Sequence, residues 1–517
     1  MASGVTQKLL HVDLTTRQTR VEEIPETILR KYMGGGALAC HLLLRELPPG
    51  VDPLGPDNVL VFTTSIINGM SLSGTNRYTA AAKSPLTGGY GESEAGGWWA
   101  PELRAAGYDG VVIRGRSETP VYLWIKDGEV EIRDARAYWG KLSGEVQEGL
   151  EQELGDRRIR VLQTGVAGEK GVRFAAIVNQ LKHFHGRSGL GAVMGSKRLK
   201  AIAVRGSTPP VALDKGAAKK ALTWFREHYD RAKDRFHQLG SAGVVLALEA
   251  SGILPTRNFR DGSFEHARAI SGQTMAETIL VHRGTCFACA VACKREVGIP
   301  EEGVDPKYGG PEYETLAATG SLCGVGDLHA LARINQLLAQ YVLDSISTGA
   351  VIAFAMECFE HGILTTKDTG GLDLTWGNAL AVETLVGMIG RREGLGDLLA
   401  EGVRLAARRL GKGAERFALH VKGQELPMHD PRGKKGLSLA YALSPTGADH
   451  MEAPHDPLYA GFHPQGHPMG PLGLIEPLDP LTLDAKKVRA FFVTQQVWSF
   501  YNCVGMCDFV GTPLNAL

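Results

Sequence analysis

Three cysteines within eight residues constrain this chain more than any other feature. Cys286-Phe287-Ala288-Cys289-Ala290-Val291-Ala292-Cys293 is a C-x2-C-x3-C run. A backbone that brings three thiols this close can seat three corners of a cubane iron–sulfur cluster, and a distant cysteine must supply the fourth. Cys507 and Cys503 are the candidates. The spacing reverses the C-x3-C-x2-C order of radical-SAM enzymes. A four-cysteine zinc site is the alternative, but zinc sites usually pair two C-x2-C knuckles or add histidines, and neither pattern occurs around this run. The remaining cysteines, Cys40, Cys323 and Cys358, are scattered. The N-terminus lacks the apolar region and small-residue cleavage site of a signal peptide, so a cytoplasmic location and metal ligation, rather than disulfides, are expected.

A cluster implies electron transfer, and electron transfer needs a second centre. No G-x-G-x-x-G lies between a strand and a helix, and there is no Walker A sequence, so that centre is neither a Rossmann-bound nicotinamide nor a flavin of that type. Glycine offers a different lead. Of 517 residues 65 are glycine, near twice the usual share of about 7%. Dense glycine in a folded chain marks tight turns and close approach of backbone to a ligand. Charge narrows the field further. Fifty-six basic residues balance 56 acidic ones, which removes the electrostatic footprint of a nucleic-acid binder. No apolar run reaches the about 18 residues that a membrane span needs, so no membrane partner is expected.

At this length two to four domains are expected. Residues 1–208 read as β-rich. Residues 121–134 hold two alternating apolar runs around Asp127-Gly128, a hairpin signal, and residues 58–66, 110–115, 158–165 and 199–206 read as buried strands. Pro209-Pro210 breaks the pattern. Residues 209–420 turn helical and carry the cysteine run. Asp214 is expected to cap a helix towards residue 238, Asp327 to precede another, and 349–362 and 394–411 to be helices that stop on glycine. Residues 421–517 form a short third region, a loop-rich stretch rich in Pro, Gly and His followed by a helix over about 484–500.

Several long segments carry a resemblance. They are residues 77–89 (RYTAAAKSPLTGG), 102–115, 186–204 (GRSGLGAVMGSKRLKAIAV), the cysteine run, 310–315 (GPEYET), 344–362 and 426–433 (LPMHDPRG). In these, from end to end, the chain resembles the aldehyde:ferredoxin oxidoreductases, with some features like the tungsten subunit of benzoyl-CoA reductases. The resemblance implies an α+β multidomain fold: a β-rich N-terminal base domain holding a bis-pterin cofactor, covered by two mainly α-helical domains. It implies tungsten or molybdenum held by two pterins (molybdopterin), a [4Fe–4S] cluster on Cys286, Cys289, Cys293 and Cys507, and a magnesium ion bridging the pterin phosphates. Glu94 matches the side-chain ligand of that ion, and Phe184 the residue that offers its carbonyl. Arg77 and Arg187 are expected to contact pterin or phosphate. The glycines of Gly186-Arg187-Ser188-Gly189-Leu190-Gly191 are expected to present backbone N–H groups to the cofactor. Glu314 and His450 match the carboxylate and imidazole beside the metal, a pair suited to activating water and holding a carbonyl oxygen.

The chain also departs from the family. The first pterin-binding D-x-x-G-L-[DC] motif reads Ala339-Gln340-Tyr341-Val342-Leu343-Asp344, so its leading aspartate is lost. The second reads Asn502-Cys503-Val504-Gly505-Met506-Cys507. Asp344 and Asn502 are therefore the expected contacts from these motifs; an amide can still hydrogen-bond a pterin ring, but without charge. Arg333 stands where one relative has a glutamate that bridges a dimer. Cys323 occupies a region where the benzoyl-CoA reductase branch uses a thiolate on the metal, and a soft thiolate suits tungsten; the competing reading is a buried apolar thiol. Family members extend further past the last cluster ligand, so a less enclosed pterin pocket is expected. The activity implied is oxidation of an aldehyde to a carboxylic acid, with electrons leaving for ferredoxin or an iron–sulfur subunit. The alternatives are a low-potential reductase acting on an aryl-CoA thioester and a pterin-free electron-transfer or scaffold protein.

Overall fold

The computed structural model describes residues 5–461 and 470–510. Its first two hundred residues build two six-stranded sheets. Strands β1 (Lys8–Asp13), β2 (Gln18–Glu23), β3 (Leu60–Thr63), β4 (Tyr78–Lys83), β5 (Tyr90–Ala95) and β6 (Gly110–Arg114) lie in the order β2-β1-β6-β3-β4-β5. Strands β7 (Val121–Lys126), β8 (Glu129–Asp134), β9 (Arg160–Thr164), β10 (Ile177–Asn179), β11 (His183–His185) and β12 (Leu199–Arg205) lie in the order β11-β10-β9-β12-β7-β8. Each sheet has one parallel pair, β1 with β6 and β7 with β12; the other neighbours are antiparallel.

Side chains alternate across a strand, and here both faces of each sheet are covered. Leu10, Val12, Leu60, Phe62, Val111 and Ile113 point into a core shared with Leu123, Ile125 and Ile202 of the second sheet, around Trp99. The intervening Leu9, Val61 and Val112 face the helices Glu26–Tyr32 and Gly35–Glu46. Tyr122, Trp124, Val161 and Ala203 cover the outer face of the second sheet beneath the helix Ser143–Leu154. Burial on both faces accounts for the near-continuous apolar runs that mark these strands in the sequence. The hairpin expected over 121–134 is present, with Asp127 and Gly128 both at positive φ, as a two-residue type I′ turn requires.

After Arg205 helices and loops dominate, with two small two-stranded sheets, Leu280–Gly284 with Lys294–Val297 and His420–Val421 with Gln424–Glu425. A large apolar core gathers the helices Tyr313–Thr319, Leu328–Tyr341, Ser345–Glu360 and Ala379–Arg391. Aspartates start several of the helices, Asp214 and Asp327 as the sequence suggests. Asp214 accepts from the Ala217 N–H, Asp327 from His329 and Ala330, Asp344 from Ile346, and Asp484 from Lys487. Three expected spans change. The helix after Asp214 ends at His228, the one expected over 349–362 begins at Ser345, and 394–411 divides into Leu395–Leu399 and Val403–Leu410. The last helix, Ala485–Val504, returns the chain to the first sheet. There Ser65 Oγ donates to Val504 O (2.8 Å), the Arg77 N–H to Gly505 O (3.1 Å) and the Cys507 N–H to Gly74 O (2.7 Å). Among the described residues no helix is long and apolar enough to cross a membrane.

Candidate functional site

Two cavities meet where the sheets face the helical half. The smaller, about 50 Å³, is lined by Cys286, Cys289, Cys293 and Cys507 together with Arg77 and Lys294. Its loop is held open by its own backbone: Ala288 and Ala292 take left-handed conformations, and the Cys289 N–H turns back onto Cys286 O (3.2 Å). Outside bonds fix it in place. The Phe287 N–H donates to Gly97 O (3.1 Å), and Ser73 Oγ accepts from the Ala290 N–H (3.0 Å). Burial raises the Cys286 and Cys293 thiols and pushes Cys507 up to about 12. Four half-buried thiols with no disulfide partner, flanked by two cations, suit a metal cluster, whose charge deprotonates such thiols outright. Cys503 lies outside this cage; its titrating neighbours are Glu92 and Glu94.

The larger cavity, about 660 Å³, shares Arg77, Gly96, Cys286, Cys293 and Cys507 with the cage. Glu94 and Phe184 line one side of it. Glu94 Oε1 accepts from Thr79 Oγ1 (3.0 Å), and Arg77 Nη2 donates to Glu94 O (2.9 Å). Burial, opposed by Arg77 and reinforced by Glu92 and Asp508, pushes the Glu94 carboxyl up to about 8. Asp508 also lines the cavity, is raised by burial to about 6, and leaves Oδ1 without a hydrogen-bond partner. Buried carboxylates short of counter-charge suit a hard cation.

Not all the expected contacts reach this space. Gly186 faces it, and a Cβ there would meet nothing within 4 Å. Gly189 and Gly191 do not: added Cβ atoms would lie 1.9 Å from Arg173 O and 2.0 Å from Ala176 O. Those two glycines serve close packing of the loop on its own scaffold, and they are absent from the cavity wall. Arg187 lines the cavity, but its guanidinium is already engaged, with Ala448 O and Glu425 O each at 2.8 Å and Asp344 Oδ2 at 3.4 Å. Asp344 and Ala339 are on the wall; Asn502 is not, and its carbonyl packs against Gly35. Cys323 is also elsewhere. It is fully buried in the helical core, its Sγ within donating reach of Ala318 O (3.4 Å) and Gly349 O (3.6 Å), a placement that favours the buried apolar thiol of its two readings. Arg333 pairs with Glu302 and Glu383 of its own chain.

Glu314 and His450 do meet. Glu314 stands in the first turn of Tyr313–Thr319, and its Oε2 accepts from the Met428 N–H (2.9 Å). Its Oε1 lies 3.1 Å from His429 Nε2 and 3.5 Å from His450 Nε2, without an aligned hydrogen bond to either. Lys434 Nζ sits 3.0 Å from His429 Nδ1 and 3.3 Å from His455 Nδ1, and His455 Nε2 is 3.0 Å from His450 O. Burial lowers Lys434 to about 8 and also lowers all three imidazoles, an effect the Lys434 charge reinforces. An ammonium donating to His429 Nδ1 leaves that ring's proton on Nε2, facing Glu314. The ligand atoms of Glu314, His429 and His450 fall within 4.8 Å of one another, yet the ammonium behind His429 opposes a second cation there. His429, Lys434 and His455 were missed in the sequence; the only signals were the LPMHDPRG segment and the density of histidines after 423.

The likeness to known proteins covers the same ground. A family model described as the N-terminal domain of aldehyde ferredoxin oxidoreductase matches residues 9–206, and one described as domains 2 and 3 matches residues 217–516. A tungsten-containing aldehyde ferredoxin oxidoreductase of Thermococcus kodakarensis is 37% identical over 518 residues, 98% of this chain and 82% of its own length. The WOR-like subunit of an aliphatic sulfonate oxidoreductase from Pyrococcus furiosus is 33% identical, over 86% of this chain and 74% of its own. Among solved structures, the active-site complex BamBC of benzoyl coenzyme A reductase with 1,5-dienoyl-CoA aligns with a TM-score of 0.80 at 26% identity, covering 98% of this chain and 82% of that one. The chain belongs to the aldehyde ferredoxin oxidoreductase family.

Proposed function

We propose that this protein oxidises an aldehyde to a carboxylic acid with water as the oxygen source, releasing two protons and two electrons. The larger cavity is the seat of a tungsten or molybdenum bis-pterin centre, and the cage holds a [4Fe–4S] cluster. When bound, the two groups supply two-electron redox chemistry and one-electron passage to ferredoxin or an iron–sulfur subunit. A magnesium ion between the pterin phosphates would be held by the Glu94 carboxylate and the Phe184 carbonyl. Arg77, Gly186, Arg187, Asp344 and, from the motif match alone, Asn502 are the pterin-side residues. Arg187 acts by fixing Asp344 at its helix start rather than by a free guanidinium. The base domain is taken as 1–208, with the last strand ending at Arg205, and the two helical regions as 209–420 and 421–517.

The observation that carries the reading is a pair of unsatisfied buried atoms. Glu314 Oε1 and His450 Nδ1 lack hydrogen-bond partners at the same end of the cavity, and buried polar atoms are rarely left unsatisfied without a functional reason. Glu314 Oε1 takes the proton from water as it adds to the aldehyde carbon. The neutral His450 holds the carbonyl oxygen through its N–H. The likeness to the benzoyl-CoA reductase complex favours a second reading, reduction of an aryl-CoA thioester; the placement of Cys323 in the core speaks for the first. Anaerobically purified protein should contain tungsten or molybdenum, pterin and about four irons, and should reduce viologen with aldehydes. Turnover with an aryl-CoA thioester and none with aldehydes would replace the first reading with the second.

A further inference from the structure

Between the sheets and the cysteine run the chain makes one helix that the rest of the molecule barely uses. Lys215–His228 contains no buried residue. Ala218, Leu222 and Phe225 lean inward at helical spacing and are only half-buried, while Trp224 stays 43% exposed and stacks on His228. The outward faces of the helix and the turn that follows carry Lys215, Lys219, Lys220, Arg226, Arg231 and Arg235 against Glu227 and Asp234; Lys233 and Asp230 pair with each other. That is a marked positive surplus in a chain of zero net charge.

The helix leads directly to the cage. Arg231 Nε donates to Ala290 O (3.1 Å) and His237 Nδ1 meets Val291 O (2.8 Å), so residues 229–237 are bonded to the loop between Cys289 and Cys293. Ala288, which immediately precedes Cys289, is exposed, which brings one edge of the cage to the surface beside the basic helix. We propose that this surface, the Lys215–His228 helix with the Ala288 edge of the cage, docks an acidic iron–sulfur electron-transfer protein. Carboxylates of the partner would meet the lysines and arginines, Trp224 would supply an apolar anchor, and the partner's own cluster would come to rest against Ala288. Complementary charge of this kind accelerates encounter and sets orientation more than it adds final affinity. A membrane surface could also attract a basic helix with an exposed aromatic ring, but it would not explain why the helix is tied to the cysteine loop.

The proposal rests on the oxidoreductase reading for the direction of electron flow, but not for binding. Cluster-loaded protein purified anaerobically can be titrated with an acidic [4Fe–4S] ferredoxin at low and high salt. Binding should weaken as salt rises. The variant K219E/K220E/R226E should bind about tenfold more weakly at low salt, with a flatter salt dependence, and the remote control K126E/K367E should match wild type. Wild-type affinity and salt slope in the triple variant would overturn the proposal. Binding of the wild type to phosphatidylglycerol vesicles, with none to the ferredoxin, would overturn it in favour of a membrane. Ferredoxin binding without aldehyde-dependent viologen reduction would leave the docking surface standing and remove the proposed function. Aldehyde turnover without ferredoxin binding would do the reverse.

Discussion

The cysteine cage takes three of its four thiols from one eight-residue loop, whereas the polar end of the larger cavity takes Glu314, His429 and His450 from three separate segments. The difference shows in their chemistry. The cage is held by local backbone turns and by a few bonds that pin its loop, and its four thiols offer the same donor element. The larger cavity holds carboxylates, imidazoles and an ammonium whose protonation depends on one another. A site fixed by local geometry tolerates change elsewhere but not in its ligands. One assembled from distant segments is open to tuning by residues behind it, and Lys434, 3.0 Å from His429 Nδ1, stands in such a place.

The sharpest test of that contrast is the fourth thiol. Cys507→Ser should lose or degrade the cubane signal seen by EPR after reduction and cut iron well below about four per chain; Cys503→Ser should retain both. The opposite result would move the cage's fourth corner onto the last helix. The next effect in size belongs to the polar end. Glu314→Gln and His450→Asn should keep metal and pterin while turnover falls about 10²-fold or more; near wild-type rates would reduce both residues to packing. Lys434→Met should act more gently. The Lys434 charge lowers all three imidazoles, so its removal raises them. The acid limb of kcat should therefore move to higher pH, with less than about a tenfold loss near pH 8, and Lys434→Arg should restore most of the profile. An unmoved acid limb would uncouple Lys434 from the pair. Cys323→Ala should be the mildest, costing about 1–2 kcal/mol of stability with unchanged turnover. A metal–sulfur scatterer that disappears from the X-ray absorption edge in this variant would return Cys323 to the metal.

The same contrast governs how far the sequence could be read. The hairpin over 121–134, the helix starts at Asp214 and Asp327 and the cysteine run all rest on interactions within a few residues, and each is present. Strands β1, β2, β4, β5, β10 and β11 are not legible in the sequence, and neither is the sandwich of two mixed sheets, because strand order is set by pairing between residues far apart in the chain. Gly189 and Gly191 show the limit at one loop. Dense glycine read as ligand approach, but the close neighbour at both is the protein's own carbonyl. The roles of His429 and His455 are not legible from the LPMHDPRG segment or the histidine density alone, since only the fold brings Lys434 between them.

The position of Cys507 also bears on the order in which this protein is made. A ribosome adding about 5–20 residues per second finishes the Cys286–Cys293 loop tens of seconds before the fourth thiol exists. Through that interval neither cavity has its full wall, because Trp498, Cys507, Asp508 and Phe509 all come from the last stretch of chain. The last helix and the residues that follow it wall both spaces, held by Ser65 on Val504 and by the buried Lys487–Asp456 pair (2.6 Å). If both cavities are filled as proposed, loading would be a matter of timing: the groups to be enclosed would have an open door before this last stretch docks, and a common lid afterwards.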